Sequence, residues 1–165
     1  MEPFDWYQRY GGIKDIITQY MRPDFQILNI GCGNSLLAEE MYDDGYQHLT
    51  NIDFSKIVID QMQEMYKEKI PSLKFEEVDI KKMPYNDHCF DAIIDKGTLD
   101  SILCGDSSGP SAEKALREIY RVLNPKGVYI VITYGLPNQR LEYFMCPEFR
   151  WTHTLHKVAK TTIST

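Results

Sequence analysis

Five short, mostly apolar segments alternate along this chain with stretches of helical period, and that alternation restricts the fold more than any other property of the sequence. The strand-like runs fall at 26–30 ("QILNI"), 48–53 ("HLTNID"), 73–80 ("LKFEEVDI"), 89–95 ("CFDAIID") and 128–135 ("VYIVITYG"). At 12–21, "GIKDIITQYM" puts Ile13, Ile16, Ile17 and Tyr20 on one helical face, and 35–45 does the same with Leu36, Leu37, Met41 and Tyr42 before Gly45. A third helix, 55–69, begins at Ser55, a good N-cap, and stops before Pro71. A fourth, 111–127, faces Ala115, Leu116, Ile119, Val122 and Leu123 inward and closes on Asn-Pro-Lys-Gly. Strands separated by helices pair in parallel through right-handed crossovers, so the expectation is an α/β, doubly wound, mostly parallel sheet with helices on both faces. Such a sheet binds ligands beyond the carboxyl ends of its strands, where the strand order reverses.

A chain of 165 residues supports one core and is too short for two ordinary domains, so 1–165 is expected to be a single domain. Hydrophobic residues at 43% and charged residues at 25% are ordinary for a folded, soluble chain. A formal charge of −6, with no run of five Lys or Arg residues, argues against nucleic acid as a partner. Residues 1–15 carry charges throughout and no later apolar run approaches a membrane span, so no membrane partner is expected and the location expected by default is cytoplasmic. Cys32, Cys89, Cys104 and Cys146 form no C-x-x-C pair and have no histidine at ligand spacing, so neither a metal site nor a disulfide framework is expected.

G-C-G-N-S at 31–35 follows the first strand and opens a helix, where backbone can approach a ligand closely and helix amides face it. Leu36 stands where a dinucleotide fingerprint has its third glycine, and the G-K-[ST] of a P-loop is absent, so neither a nicotinamide dinucleotide nor ATP suits this loop. The other strand ends narrow the ligand further. Asp53 ends the second strand, where a carboxylate accepts both hydroxyls of a ribose. Asp79 ends the third, placed to accept from an adenine amino group while the Ile80 amide donates to a ring nitrogen. Asp95 and Lys96 end the fourth, across the switch point from Gly31 and Gly33. Together these ends offer polar contacts to one adenosine-bearing ligand. Asn29, inside the first strand, needs a hydrogen-bond partner once buried; backbone or water is expected to supply it, in a neutral role beside the ligand.

With those residues in view, the chain resembles the class I S-adenosylmethionine-dependent methyltransferases. "ILNIGCGNS", "NIDFS", "VDI" and "FDAIIDKGTLDS" are similar to the eukaryotic lysine methyltransferases that act on translation elongation factor 1 alpha, over a stretch from about Phe4 to Gly135. "DKGTLD" is the most specific of these strings. The resemblance implies a Rossmann-like fold, S-adenosylmethionine as cofactor, and N-methylation of a lysine side chain on a protein substrate. Carried over position by position, it implies cofactor contacts from Gly31, Asp53, Phe54, Asp79, Ile80 and Lys96, and "FDWY" at 4–7 adds Trp6. The family also has a "YW..RY" element upstream of "FDWY" and a β-hairpin after the fifth strand. Here the first is missing, and of the second only "EFRWTHTLHKV" at 148–158 reads as a strand, so a domain truncated at both ends with an incomplete C-terminal hairpin is expected.

Methyl transfer from a sulfonium is a direct displacement that needs no metal, which suits a chain without a catalytic triad and leaves in-line positioning as the main source of rate. For a lysine nucleophile, aromatic walls would lower the amine pKa by desolvation; Trp6, Tyr7 and Tyr134 are the candidates, with Asp95 as an acidic positioner and no catalytic base identified. Substrate choice lies in termini and loops, so a small-molecule methyltransferase and a catalytically silent cofactor-binding or interaction domain stay open. Structural roles stand beside the functional ones: Asp53 as a cap for the helix near Ser55, Lys96 as a solvated loop lysine, Asp100 at a helix N-terminus capped by Thr98, and Cys32 as a small apolar filler.

Overall fold

Strand β1 (Ile27–Ile30) is buried at all four positions, as suits the middle strand of a five-stranded sheet, with Asn29 the one polar residue among its apolar neighbours. The structure, a computed structural model, describes residues 2–105 and 109–159. On one side of β1 lie β2 (Leu49–Asp53) and then β3 (Lys74–Glu77); on the other lie β4 (Phe90–Lys96) and then β5 (Leu123–Ile132). Every neighbouring pair is parallel. Ile30 stands beside Ile52 on β2 and Asp95 on β4, so the chain leaves all three strands at one edge of the sheet. Strand order reverses between β1 and β4, as the alternation predicts, and the crevice opens there.

Helices cover both faces. α1 (Tyr10–Tyr20), α2 (Leu37–Asp43) and α3 (Lys56–Tyr66) turn Ile13, Ile17, Met41, Ile59 and Met62 onto the face that carries Ile27, Ala92 and Ile94. α5 (Pro110–Val122) turns Leu116, Ile119 and Val122 onto the opposite face, against Leu28, Ile30 and Ile93. Each such fully buried aliphatic side chain contributes roughly 1.5 to 3 kcal/mol. α4 (Thr98–Gly105) leaves the end of β4, and α6 (Pro137–Phe144) follows β5.

Three expectations change. The fourth predicted helix ends at Val122, and Asn-Pro-Lys-Gly belongs to β5 instead. Pro125 sits where the ladder to β4 is irregular, between the Phe90 and Ala92 pairings, and a Cβ on Gly127 would lie 2.7 Å from the Asp91 carbonyl oxygen, so the sequence encodes a bulge with close backbone approach. α6 was not foreseen: it buries no residue, so its sequence carries no apolar stripe to read. Segment 148–158 forms no strand. Phe149 and Trp151, two residues apart, instead pack at a tilt with their rings 4.6 Å apart and meet Tyr120 at 5.0 and 5.2 Å, while the Trp151 indole donates to the Phe144 carbonyl at 2.7 Å. Their alternation is met by ring packing, and among the described residues the sheet ends at β5. No helix among those residues is long and apolar enough to cross a membrane, and none of their His, Cys, Asp and Glu side chains form a group of three able to hold a metal.

Candidate functional site

The turn after β1 needs positive φ, and Gly31 at +61° and Gly33 at +51° provide it. Between them the buried Cys32 amide donates to the Ile52 carbonyl at 2.9 Å. Burial, with a smaller push from Asp53, holds the Cys32 thiol well above its ordinary value, so it is an inert filler. The Gly33 amide donates to Asp53 Oδ2 at 3.0 Å, which ties the loop to the end of β2. Asp53 Oδ1 accepts from the Ser55 amide at 2.9 Å, and the Ser55 side chain in turn caps α3. Asp53 therefore organises two loops, and each of its oxygens keeps a lone pair for a further donor.

A cavity of about 530 Å³ lies beyond these strand ends. Asn29, Gly31 and Gly33 line it from β1 and its loop, Asp53 and Phe54 from the end of β2, Asp79 and Ile80 from beyond β3, and Lys96 from the end of β4. Phe4 and Trp6, on an N-terminal strap of residues 2–9, form a further wall. All the predicted site residues except Asp95 are thus brought together. Phe54 is 81% exposed although it is a large apolar ring, and it stands next to the Asp53 carboxylate. A bare aromatic face beside a paired acceptor is what a base and its ribose would use.

Asn29 finds a partner in a neighbouring side chain. Its Nδ2 donates to Oδ1 of Asn51, its register neighbour on β2, at 3.0 Å, and Asn51 Nδ2 continues to the Lys74 carbonyl at 3.0 Å. Only the register reveals that pairing.

Asp95 faces away from the cavity, into the interior on the α5 side, and is 1% exposed. It caps α4, accepting from the Thr98 amide at 2.8 Å and the Leu99 amide at 3.2 Å, and it also accepts from the Tyr129 hydroxyl at 2.8 Å. Neither a ligand contact nor an acidic positioner is available from that carboxylate. Burial pushes it up to about 6 against those hydrogen bonds. The folded protein therefore holds a proton on Asp95 between about pH 4 and 6 that the unfolded chain releases. Its contribution to stability is fullest below about pH 4 and is lost as pH rises through 6, a change of roughly 2 to 3 kcal/mol. Asp95→Asn keeps an acceptor for α4 and cannot titrate. The wild type is expected to gain on this variant in thermal denaturation as pH falls from 7 to 4.5, and a pH-independent difference would contradict the assignment.

Asp100, expected to serve the helix start that Asp95 in fact caps, is a hub instead. It accepts from the Tyr7 hydroxyl at 2.8 Å, the Thr133 hydroxyl at 2.5 Å, the Tyr134 amide at 2.9 Å and Arg140 Nε at 3.0 Å. Burial pushes its carboxyl up, but the four donors outweigh burial and hold it below its ordinary value. Burial and Asp100 push the Tyr7 hydroxyl up to about 12, so it remains a donor at neutral pH. Tyr7 and Tyr134 stack at 5.8 Å, Trp6 meets Tyr7 at 6.0 Å and Phe4 meets Trp6 at 5.2 Å, forming a run of rings beside the cavity. Lys96 is buried, contrary to the solvated reading, and its ammonium is engaged by the strap.

A parallel doubly wound sheet, a two-glycine turn at its switch point and a carboxylate paired with an exposed ring at the next strand end together define a class I, S-adenosylmethionine-dependent methyltransferase domain. The chain belongs to the family described as "Methyltransferase domain", whose model matches residues 22–161. It is 39% identical over 132 residues to the eEF1A lysine and N-terminal methyltransferase of Xenopus laevis, an alignment that covers 79% of this chain and 19% of that protein. It is 30% identical over 164 residues to EEF1A lysine methyltransferase 4 of Mus musculus, covering 93% of this chain and 64% of that one. The chain thus spans about a fifth of the first relative's length and just under two thirds of the second's. Among solved structures, a SAM-dependent methyltransferase from Methanosarcina mazei shares the fold with a TM-score of 0.65 at 22% identity, over 85% of this chain and 63% of that chain. The residues present fit S-adenosylmethionine: the bare Phe54 ring and the two Asp53 oxygens suit the adenosine, and the Gly31 to Gly33 turn leaves room for the amino-acid tail.

Proposed function

We propose that this domain methylates a lysine side chain of a protein, with elongation factor 1 alpha as the substrate. The observation that carries the cofactor half is Asp53 beside the exposed Phe54 at the switch-point crevice. The substrate half is supported by the activities for which the two relatives are named and by the ring-lined mouth of the cavity. S-Adenosylmethionine would supply the electrophilic methyl on its sulfonium; the chain's own residues have to bind, orient and desolvate.

A free lysine amine costs roughly 4 to 5 kcal/mol at neutral pH, because its ordinary pKa is near 10.4. Desolvation against Phe4 and Trp6 lowers that cost, since burial penalises the ammonium. A free carboxylate at the mouth would have the opposite effect. Asp100, which the run of rings touches through the Tyr7 hydroxyl, is occupied by its four donors, and Asp95 lies inside the core. Ring walls with their carboxylates already satisfied thus favour a neutral amine held in line with the methyl.

The test is incubation of the protein with methyl-labelled cofactor and purified elongation factor 1 alpha, followed by residue-level analysis. Label on lysine is expected. Label confined to small molecules would assign the site to a different substrate class, and S-adenosylhomocysteine binding without any transfer would leave a binding domain.

A further inference from the structure

Lys96 is almost wholly enclosed, its side chain 5% exposed, and its chief partner Asp5 is 10% exposed. Its Nζ lies 2.5 Å from Asp5 Oδ1 and 2.9 Å from the Gln8 carbonyl oxygen, so both partners belong to the strap. Asp5 Oδ1 also accepts from the Ser35 hydroxyl beside the glycine loop. Next to it the Phe4 amide donates to Asn34 Oδ1 at 3.2 Å, and Asn34 Nδ2 returns to the Glu2 carbonyl at 2.9 Å. The strap then crosses Gly97 so closely that a Cβ there would lie 3.3 Å from the Tyr7 ring and 3.4 Å from Trp6, and Tyr7 itself takes a φ of +64°. A non-glycine residue in that region stores strain, which the surrounding contacts must hold.

A buried ammonium is costly unless paired, and most of this one's pairing comes from a segment with no ladder or helix of its own. The dependence runs both ways. If the strap lifts, Lys96 loses its counter-ion; if Lys96 is lost, the strap loses its most enclosed anchor. Phe4 and Trp6 line the cavity only while the strap is down.

We propose that Lys96 is a positioning residue, a latch that holds the strap through Asp5 and thereby sets how fast a bound cofactor leaves. This deepens the methyltransferase reading and differs from the direct cofactor contact implied by the resemblance. A direct contact would depend on Lys96 alone. A latch depends equally on Asp5.

The test uses the full chain and begins without ligand, so that it stands apart from the cofactor reading. Hydrogen exchange of the peptide spanning 2–9 is expected to accelerate about tenfold in Lys96→Met and in Asp5→Asn, the effect of losing roughly one charge-assisted hydrogen bond, with Lys96→Arg close to wild type. The double variant is expected to fall well short of the product of the two single effects, because the two side chains share one ion pair. Dissociation of S-adenosylhomocysteine, followed through Trp6 fluorescence in a Trp151→Phe background, is expected to quicken about tenfold in the same single variants. If Lys96→Met speeds release while Asp5→Asn changes neither release nor strap exchange, Lys96 acts on the cofactor directly and the latch is wrong. Unchanged strap exchange in both variants overturns it as well. A wild type that fails to bind S-adenosylhomocysteine would defeat the cofactor reading, while the ligand-free exchange would still judge the latch.

Discussion

Gly31→Ala is expected to lower the melting temperature by roughly 10 °C, far more than the same change at Gly33. Both glycines have positive φ, so an L side chain at either costs about 1 to 2 kcal/mol. At Gly33 nothing lies within 4 Å of the added Cβ and the backbone term is the whole effect. At Gly31 the new atom would stand 2.0 Å from Thr98 Oγ1, 2.8 Å from Cγ2 and 2.9 Å from Cβ. Rotating Thr98 exchanges one clash for another, because its Cβ is itself too close, and the rotation would also break the hydroxyl's bond to the Ile30 carbonyl at 2.9 Å. Relief must come from moving the first turn of α4, which Asp95 holds by two amides. Such overpacking adds about 1 to 3 kcal/mol to the backbone term. Scanning calorimetry of the two variants measures the difference; equal losses would mean that the approach of Thr98 to the glycine turn is not tight in solution.

That contact also marks a boundary of what the sequence reveals. The period-2 and period-3.6 patterns located β1, β2, β4 and α1 to within a residue or two, because burial of one face is written into the residues themselves. They also placed Gly31, Gly33 and Asp53 at strand ends, and Asp79 and Ile80 on a third strand that in fact stops at Glu77 and leaves them in the turn beyond it; a switch-point topology brings these segments together. What stayed hidden depended on which face each strand residue meets. Ile93 packs on the α5 side of the sheet and Ile94 on the α1 side, so Asp95 follows the first inward to Tyr129 and Lys96 follows the second to the strap. The alternation was legible in the sequence; which face looked onto the strap was not. The partners of Lys96, Asp100 and Asn29 lie 91, 93 and 22 residues away from them in sequence, at distances no local signal spans.

Asp53→Ala is expected to weaken S-adenosylhomocysteine binding about 100-fold in titration calorimetry, or roughly 2.7 kcal/mol. Two ribose hydroxyls donating to a carboxylate make charge-assisted bonds worth about 1.5 to 3 kcal/mol each, and part of that sum is offset by hydration of the free carboxylate. The alanine also releases the Gly33 and Ser55 amides, so the glycine turn loses its tie to β2 and the cavity its shape. Asp53→Asn separates the two effects, because it keeps an acceptor for one of those amides while removing the charge; an intermediate loss of about tenfold is expected. Asp79→Ala should cost less than Asp53→Ala. Its carboxylate is half exposed and already serves the Lys81 amide at 2.9 Å and the Lys81 ammonium at 3.3 Å, so it offers a ligand a more screened and less rigid acceptor. The order Asp53→Ala, then Asp53→Asn, then Asp79→Ala follows from how firmly each carboxylate is held at the cavity wall. Affinity unchanged by Asp53→Ala, or lost first at Asp79, would mean that the adenosine does not lie along Asp53 and Phe54.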